Sequence, residues 1–405
     1  MTSLINSSLK PSFNVEEVQQ LIQESGFSGW LLYDFRGNNV LANRVLRIPP
    51  HQKASRRWFY FIPATGTPCK VVHRIEPRAL DHLPGEKIVY LKWQELEAAI
   101  QNVVTGQDTI AMEYSPMNNN PYIAIVDAGT VELVRSFDVK VVSSGDLIQA
   151  FESRWDEHEW NLHLEADRFN QAAFELAWNM IAEAARKRRK LRETDVQQMV
   201  MDFYAENGMT TYSPPIVGVG PNSGDPHYSP LAGCDAEINV GDFVLLDMWA
   251  KMDKPGGVYS DLTKVGFVGD VVPEKYQQIF RIVADARDAG IACVRNGLAS
   301  GNDVFGWQVD RATRDVIEKA GYGEYFIHRT GHNIGQETHG NGAHMDDLET
   351  REDRKVIPRT CFSIEPGIYL PEFGVRSEVN IFIDANSGVH VTGGLQTEVL
   401  AILAS

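Results

Sequence analysis

Four acidic residues stand inside runs that otherwise read as buried β-strand. Asp247 ends the apolar stretch VLLD, Asp261 interrupts VYSDLTKVGF, Glu365 interrupts CFSIEPGIY, and Glu378 sits in GVRSEVNIFI. A carboxylate in such a setting is costly unless something cationic pairs with it. Clustering four of them raises their pKa values further by mutual repulsion. Two divalent cations would balance the four formal charges, so a metal centre is the simplest way for these strands to be folded together.

The segment IHRTGHNIGQETHG, residues 327–340, offers imidazoles at His328, His332 and His339. Their spacing of four and then seven would also align them on one face of a helix. Gly331 and Gly335 argue against that helix, since each costs about 1 kcal/mol relative to alanine. The segment by itself does not say which imidazole would bind a metal. An Asp, Asp, His, Glu, Glu set is rich in oxygen, which suits Mn, Co or Fe, admits Zn, and fits a copper or thiolate site poorly.

Composition narrows the setting. The chain has 405 residues, enough for two or three domains, and is 43% hydrophobic, as ordinary globular proteins are. Its four cysteines, Cys69, Cys234, Cys293 and Cys361, lie far apart in sequence, which argues against a disulfide scaffold and fits a reducing cytoplasm. A formal charge of −16 disfavours nucleic acid as a partner. The basic run ARKRRKLR, residues 185–192, reads as the solvated C-terminal end of a helix. No run approaches the length of a membrane span, and MTSLINSSLKPSF has no leader pattern, so a cytoplasmic location is expected.

Along the chain, Asn14 and VEEVQQLIQESG predict a capped helix ended by glycine, followed by a strand in GWLLYDF. The alternation continues through WFYFIP, CKVVHRI, KIVYL and TIAMEY. The polar and aromatic stretch RWDEHEWNLH, residues 154–163, marks a boundary, giving domains at 1–155 and 156–405. Beyond it, helices over about 164–187 and 193–208 precede short strands separated by two more long helices, an α+β pattern. No GxGxxG or GxxxxGK stretch supports nucleotide binding.

The stretches PNSGDPHY (221–228), LLDMWA (245–250), YSDLTKVGFVG (259–269), HRTGHNIG (328–335), FSIEPGIY (362–369) and FGVRSEVN (373–380) resemble the signatures of the pita-bread metallopeptidases. The similarity is to their proline-specific branch of Xaa-Pro dipeptidases (prolidases) and aminopeptidases P, with a creatinase-type N-terminal domain ahead of the pita-bread domain. The resemblance implies two divalent metals, manganese first, with Asp247, Asp261, His332, Glu365 and Glu378 as ligands. It implies hydrolysis of the Xaa-Pro bond by a hydroxide held between the metals, with Glu365 shuttling the proton. His227, His328 and His339 would line the cleft, and Arg376 would lie beside it. Thr263, two residues beyond Asp261, is placed by strand period as a hydroxyl behind the ligands. The implied partners are a small peptide with proline at its second position and a second copy of the chain.

Several positions depart from the family pattern. Fourteen residues separate Asp247 from Asp261 where eleven are usual, with KMDKPGG between them, which predicts a longer hairpin turn. Asn333 replaces a small residue, Lys264 stands where arginine is frequent, and GNGAHMDD follows His339 where an acidic residue and proline are common. Within the branch, dipeptidase is the first reading and aminopeptidase P the alternative. A non-peptide hydrolase or lyase on the same metals, or a binding module on this fold, are more distant ones.

Overall fold

Asn14 begins the first helix as its sequence requires: its side chain accepts hydrogen bonds from the backbone of Glu16 and Glu17, satisfying donors that the first turn leaves open. The computed structural model describes residues 13–49 and 54–404. The N-terminal stretch read for a leader lies, except for Phe13, outside the described residues. The chain divides into two compact units between Glu152 and Ser153.

In the first unit, strands β1 (Gly29–Asp34), β2 (Trp58–Pro63), β3 (Cys69–His73), β4 (Glu86–Tyr90), β5 (Thr109–Met112) and β6 (Lys140–Ser143) form one sheet in the order β4-β3-β2-β1-β5-β6. It is antiparallel at β1/β2 and β2/β3 and parallel elsewhere. Helices α1 (Val15–Glu24), α2 (Val40–Val45), α3 (Trp93–Val104), α4 (Ala128–Arg135) and α5 (Gly145–Glu152) accompany it. β1 and β2 are buried along their whole length. Their alternate residues feed two cores, Trp30, Leu32, Tyr60 and Ile62 on one side and Leu31, Phe59 and Phe61 on the other. The two-residue period of the strand is what separates these sets.

The second unit opens with α6 (Glu157–Arg186), thirty residues long. The stretch RWDEHEWNLH, read as a boundary ahead of a helix from about residue 164, already contains its first turns. Asp156 accepts from the Glu159 N–H while Glu159 caps back onto Asp156, a capping box that starts the helix ahead of its apolar periodicity. The basic run does close this helix, and Lys187 and Arg189 pair with Glu183 in solvent. After α7 (Glu193–Glu206) come β7 (Met209–Thr210), β8 (Ile216–Val219), and the long pair β9 (Phe243–Met252) and β10 (Tyr259–Phe267). Then follow α8 (Glu274–Ala299), α9 (Gly306–Lys319), β11 (Asn333–Ile334), β12 (Cys361–Ile364), β13 (Gly367–Tyr369), β14 (Gly374–Arg376), β15 (Val379–Ile383), β16 (Val389–Thr392) and β17 (Leu400–Ala401).

One sheet runs β17-β10-β9-β7 with β8 also on β9, a second runs β11-β12-β15-β16, and β13 and β14 form a hairpin. α6 and α7 pack Phe174, Trp178, Val196 and Val200 against the β9 and β10 residues Leu246, Met248 and Leu262. On the other side Phe280 and Val283 of α8 join Leu245, Val265 and Phe373. Among the described residues no helix is long and apolar enough to cross a membrane.

α8 and α9 touch at Gly290, where an added Cβ would come 2.4 Å from Thr313 Oγ1 and 3.3 Å from Ile364 Cγ2. Alanine gains about 1 kcal/mol of helix propensity over glycine, but overpacking a closed core costs about 1–3 kcal/mol. Gly290→Ala is therefore expected to lower stability in urea denaturation. A more stable variant would show that the two helices part without cost.

Candidate metal centre

Nine residue pairs zip β9 to β10, setting Asp247 opposite Thr263 and Asp261 opposite Trp249. Both acids are buried, at 7% and 4% exposure. Asn380 in β15 ties the second sheet to this ladder: its side-chain amide donates to the Asp261 carbonyl at 2.6 Å and accepts from the Asp261 N–H at 3.0 Å. That tie sets Glu378, two residues earlier, beside Thr263, whose hydroxyl donates to Glu378 Oε2 at 2.7 Å.

Arg376 and Glu378 were expected on one continuous strand. Instead β14 ends at Arg376, and Ser377 and Glu378 form a break before β15. Arg376 still serves the cluster. Its Nε donates to Thr263 Oγ1 at 2.8 Å, its Nη2 to Asp247, and its Nη1 to the Tyr369 hydroxyl and the Pro226 carbonyl. Glu365 likewise lies in a break, between β12 and β13.

His332 and Glu365 meet because β11 pairs with β12, with Asn333 opposite Phe362. Ser363 Oγ accepts from the His332 N–H at 2.9 Å and donates to Glu365 Oε1 at 3.0 Å. His332 Nε2 then stands 3.2 Å from Glu365 Oε1 and 3.5 Å from Asp261 Oδ2. Gly331 permits this approach, since a Cβ there would fall 1.9 Å from the Ser363 carbonyl oxygen.

The five side chains fit divalent cations on two observations of their own. One ligand atom each from Asp261, His332 and Glu378 lies within 4.8 Å of the others, all three residues being buried. Asp247 Oδ1 and Glu378 Oε1 are buried and have no hydrogen-bond partner among the described residues. A buried carboxylate oxygen without a hydrogen-bond donor is a group that a divalent cation satisfies.

The electrostatics agree. Burial pushes Asp247 up to about 7, with Arg376 opposing it and Asp261 and Glu365 adding repulsion. Burial also raises Asp261, and raises Glu378 well above the carboxylate range together with the charges of Asp261, Glu365 and Asp247. Burial works against the His332 cation, but hydrogen bonds to Asp261 and Glu365 outweigh it and lift His332 to about 9. Burial is likewise outweighed at Glu365, which His332, His328 and Arg376 hold well below the usual carboxylate range.

The remaining histidines differ in freedom. His328 has both ring nitrogens engaged, Nδ1 by the Arg329 carbonyl at 2.7 Å and Nε2 by the Tyr369 hydroxyl at 2.7 Å. A carbonyl can only accept, so the proton sits on Nδ1 and Nε2 accepts from Tyr369. Burial pushes this imidazole down to about 4. His339 packs edge-on against His332, centroids 4.3 Å apart. The His332 charge, then burial, push it down to about 3, and His227 is near enough to contribute. His227 is exposed, in a turn where its N–H donates to Asp225 Oδ1 at 3.0 Å.

Some supporting residues left no mark in the sequence pattern. Glu193, fully buried at the start of α7, accepts from Val219 N–H, Asn222 Nδ2, the Tyr228 hydroxyl and Ala236 N–H, at 2.7–2.9 Å. It fastens the loop carrying His227 at both ends. Arg314 of α9 pairs with Asp310 and donates to the carbonyls of Phe326 and His328, while Asp310 accepts from Thr330 N–H. Their partners are distant in sequence, so only a buried acid among helical residues could have hinted at either.

Residues 161–385 match the model of metallopeptidase family M24. The probable dipeptidase PepE of Mycobacterium tuberculosis is 28% identical over 336 residues, 82% of each chain. The Xaa-Pro dipeptidase of Lactobacillus helveticus is 31% identical over 207 residues, 51% of this chain and 50% of its own. Among solved structures, dipeptidase PepE from Mycobacterium ulcerans superposes over 96% of both chains, with a TM-score of 0.63 at 23% identity, a likeness that bears on the fold.

The shifts make metal-free protein sensitive to alkali. His332 is raised from 6.5 to about 9 and Asp247 from 3.8 to about 7. A group raised on folding binds more protons in the folded state, so its contribution holds below its unfolded pKa and is lost as pH rises through the folded one. His328 and His339, lowered, act oppositely, but only below about 6.5, where the unfolded chain takes up their protons. The Asp247 contribution is gone by about pH 7, so between pH 7 and 9 the melting temperature in chelator should fall as His332 loses its proton, and manganese should restore it. A flat profile in chelator over that range would contradict this electrostatic account.

Proposed function

Because the chain belongs to metallopeptidase family M24, whose pita-bread fold its second unit has, we propose that it is a dipeptidase that hydrolyses the Xaa-Pro bond. The observation that carries this reading is the convergence of Asp247, Asp261, His332, Glu365 and Glu378, with two carboxylate oxygens left unpaired. The names of the relatives, probable dipeptidase and Xaa-Pro dipeptidase, support a dipeptide substrate and, in the second case, proline. We assign residues 156–405 as the catalytic domain and 1–155 as a creatinase-like domain, in a cytoplasmic homodimer.

The five residues would hold two divalent ions, manganese first, which when bound supply an activated water and a polarised scissile carbonyl. The chain's own residues do the rest. Glu365, a buried carboxylate 3.2 Å from His332 Nε2, is placed to take a proton from water. It then delivers that proton to the leaving nitrogen. This delivery matters for proline, whose amide nitrogen has no hydrogen and needs one to leave as an amine.

His339 and His227 are both exposed, and His339 packs edge-on against His332. The neutral imidazole of His339 can donate its one N–H to the developing oxyanion, an interaction worth on the order of 3 kcal/mol when well aimed. His328, with both nitrogens engaged, supports the cleft through Tyr369, and Tyr369 in turn accepts from Arg376. Arg376 fixes Asp247 directly and Glu378 through Thr263, orienting two ligands at once.

The test is hydrolysis by manganese-loaded and metal-stripped enzyme of Leu-Pro, of Leu-Ala and of a tripeptide Leu-Pro-Ala. Rapid metal-dependent cleavage of Leu-Pro, with slow cleavage of the tripeptide, is expected. Preference for the tripeptide would identify an aminopeptidase P, and equal use of Leu-Ala a dipeptidase without proline selectivity. Glu365→Gln should lower kcat by about 10²-fold or more, the upper range for a general base, with the fold preserved by circular dichroism. Unchanged kcat would remove Glu365 from its role. Light scattering should return twice the monomer mass, and a fully active monomer would end the dimer assignment.

A further inference from the structure

The imidazole of His339 has no hydrogen-bond partner among the described residues, so its aim depends on the backbone that carries it. That backbone, 335–340, has glycine at both ends and few bonds of its own: Gly335 N–H to the Glu337 carbonyl and Gly340 N–H to the Asn333 carbonyl. Part of its external support comes from the β9–β10 hairpin. Tyr259 N–H donates to the Gly335 carbonyl at 3.0 Å, and Lys251 Nζ donates to the Gln336 carbonyl. From the start of α6, Glu159 Oε1 accepts from Gln336 Nε2 at 3.3 Å.

Lys251 is well placed for the task. Asp247, Trp249 and Lys251 are alternate residues of β9, so their side chains share one face, and Lys251 is set about 13 Å along the strand from the Asp247 ligand. Its ammonium also lies over the Tyr259 ring, 5.0 Å from the centroid, which narrows the positions the chain can take. The hairpin end is itself anchored on α6: Lys254 pairs with Glu165 at 2.7 Å, and the Pro255 carbonyl contacts His158 Nε2 at 3.1 Å.

We propose that Lys251 is a positioning residue for His339, fixing the Gln336 carbonyl and through it the direction in which the His339 imidazole meets substrate. The proposal rests on the oxyanion role assigned to His339 above. A brace of this kind acts on the turnover step and leaves ground-state binding alone, because the oxyanion forms only in the transition state.

The experiment is a double-mutant cycle on manganese-loaded full-length enzyme with Leu-Pro. Lys251→Met keeps the apolar stem and removes the donor. It should lower kcat by about tenfold or more with little change in KM, as small displacements of a catalytic group do. Lys251→Arg should recover most of the loss, and Arg281→Ala, which breaks a surface pair with Glu274 on α8, should leave kcat unchanged. In a His339→Ala background, Lys251→Met should add no further loss. Amide hydrogen exchange of residues 335–340 should speed up in Lys251→Met while the melting temperature stays put.

Lys251→Met at wild-type kcat, or the same loss repeated in the His339→Ala background, overturns the proposal. His339→Ala at wild-type kcat overturns instead the His339 assignment beneath it.

Discussion

Four carboxylates in one buried place repel one another, and the whole second unit is arranged to hold them there. The resistance comes from a short chain of donors: Arg376 spans Asp247 and Thr263, Thr263 passes a hydrogen bond to Glu378, and His332 sits between Asp261 and Glu365. Backbone ties then prevent retreat. Asn380 locks Asp261 to β15, and Ser363 locks His332 to Glu365. These bonds cover only part of the charge. The unpaired oxygens of Asp247 and Glu378 are the part left over, and they are the atoms on which the proposed metal site rests.

The four acids of the candidate site stood out in the sequence because each violates its surroundings. An acid within VLLD or FSIEP has no structural excuse, and motif order then tied the acids to one family. The strands and long helices were legible for the ordinary reason that their apolar periods are strong. What could not be read is instructive. α6 begins at Glu157 because of a capping box, a local hydrogen-bond signal hidden beneath a polar and aromatic composition. Glu365 and Glu378 lie in strand breaks, whereas Asp247 and Asp261 lie within paired strands, and the apolar runs around all four look alike in the sequence.

Residues that act across the fold were the least legible. Glu193 joins four points of the 219–236 loop, and Arg314 joins α9 to the backbone on either side of Ile327. Neither has a spacing rule, because a hydrogen bond between distant segments leaves no period in either one. His328 shows the same limit from the other side. The family resemblance places it along the cleft, but no spacing in the sequence shows its partner Tyr369, 41 residues away.

The alternation along β9 has a consequence for how such chains can vary in length. Asp247 and Lys251 serve the same face, so inserting one residue between them would turn one of the pair to the opposite side of the sheet. The ladder to β10 spreads that prohibition over every position from Phe243 to Lys251 and from Tyr259 to Phe267. Residues 253–257, between the end of β9 at Met252 and the buried Val258, are free of it. Insertions and deletions can accumulate in that turn over evolutionary time while the ligands stay in register, so relatives should differ in length there before they differ in the strands that flank it.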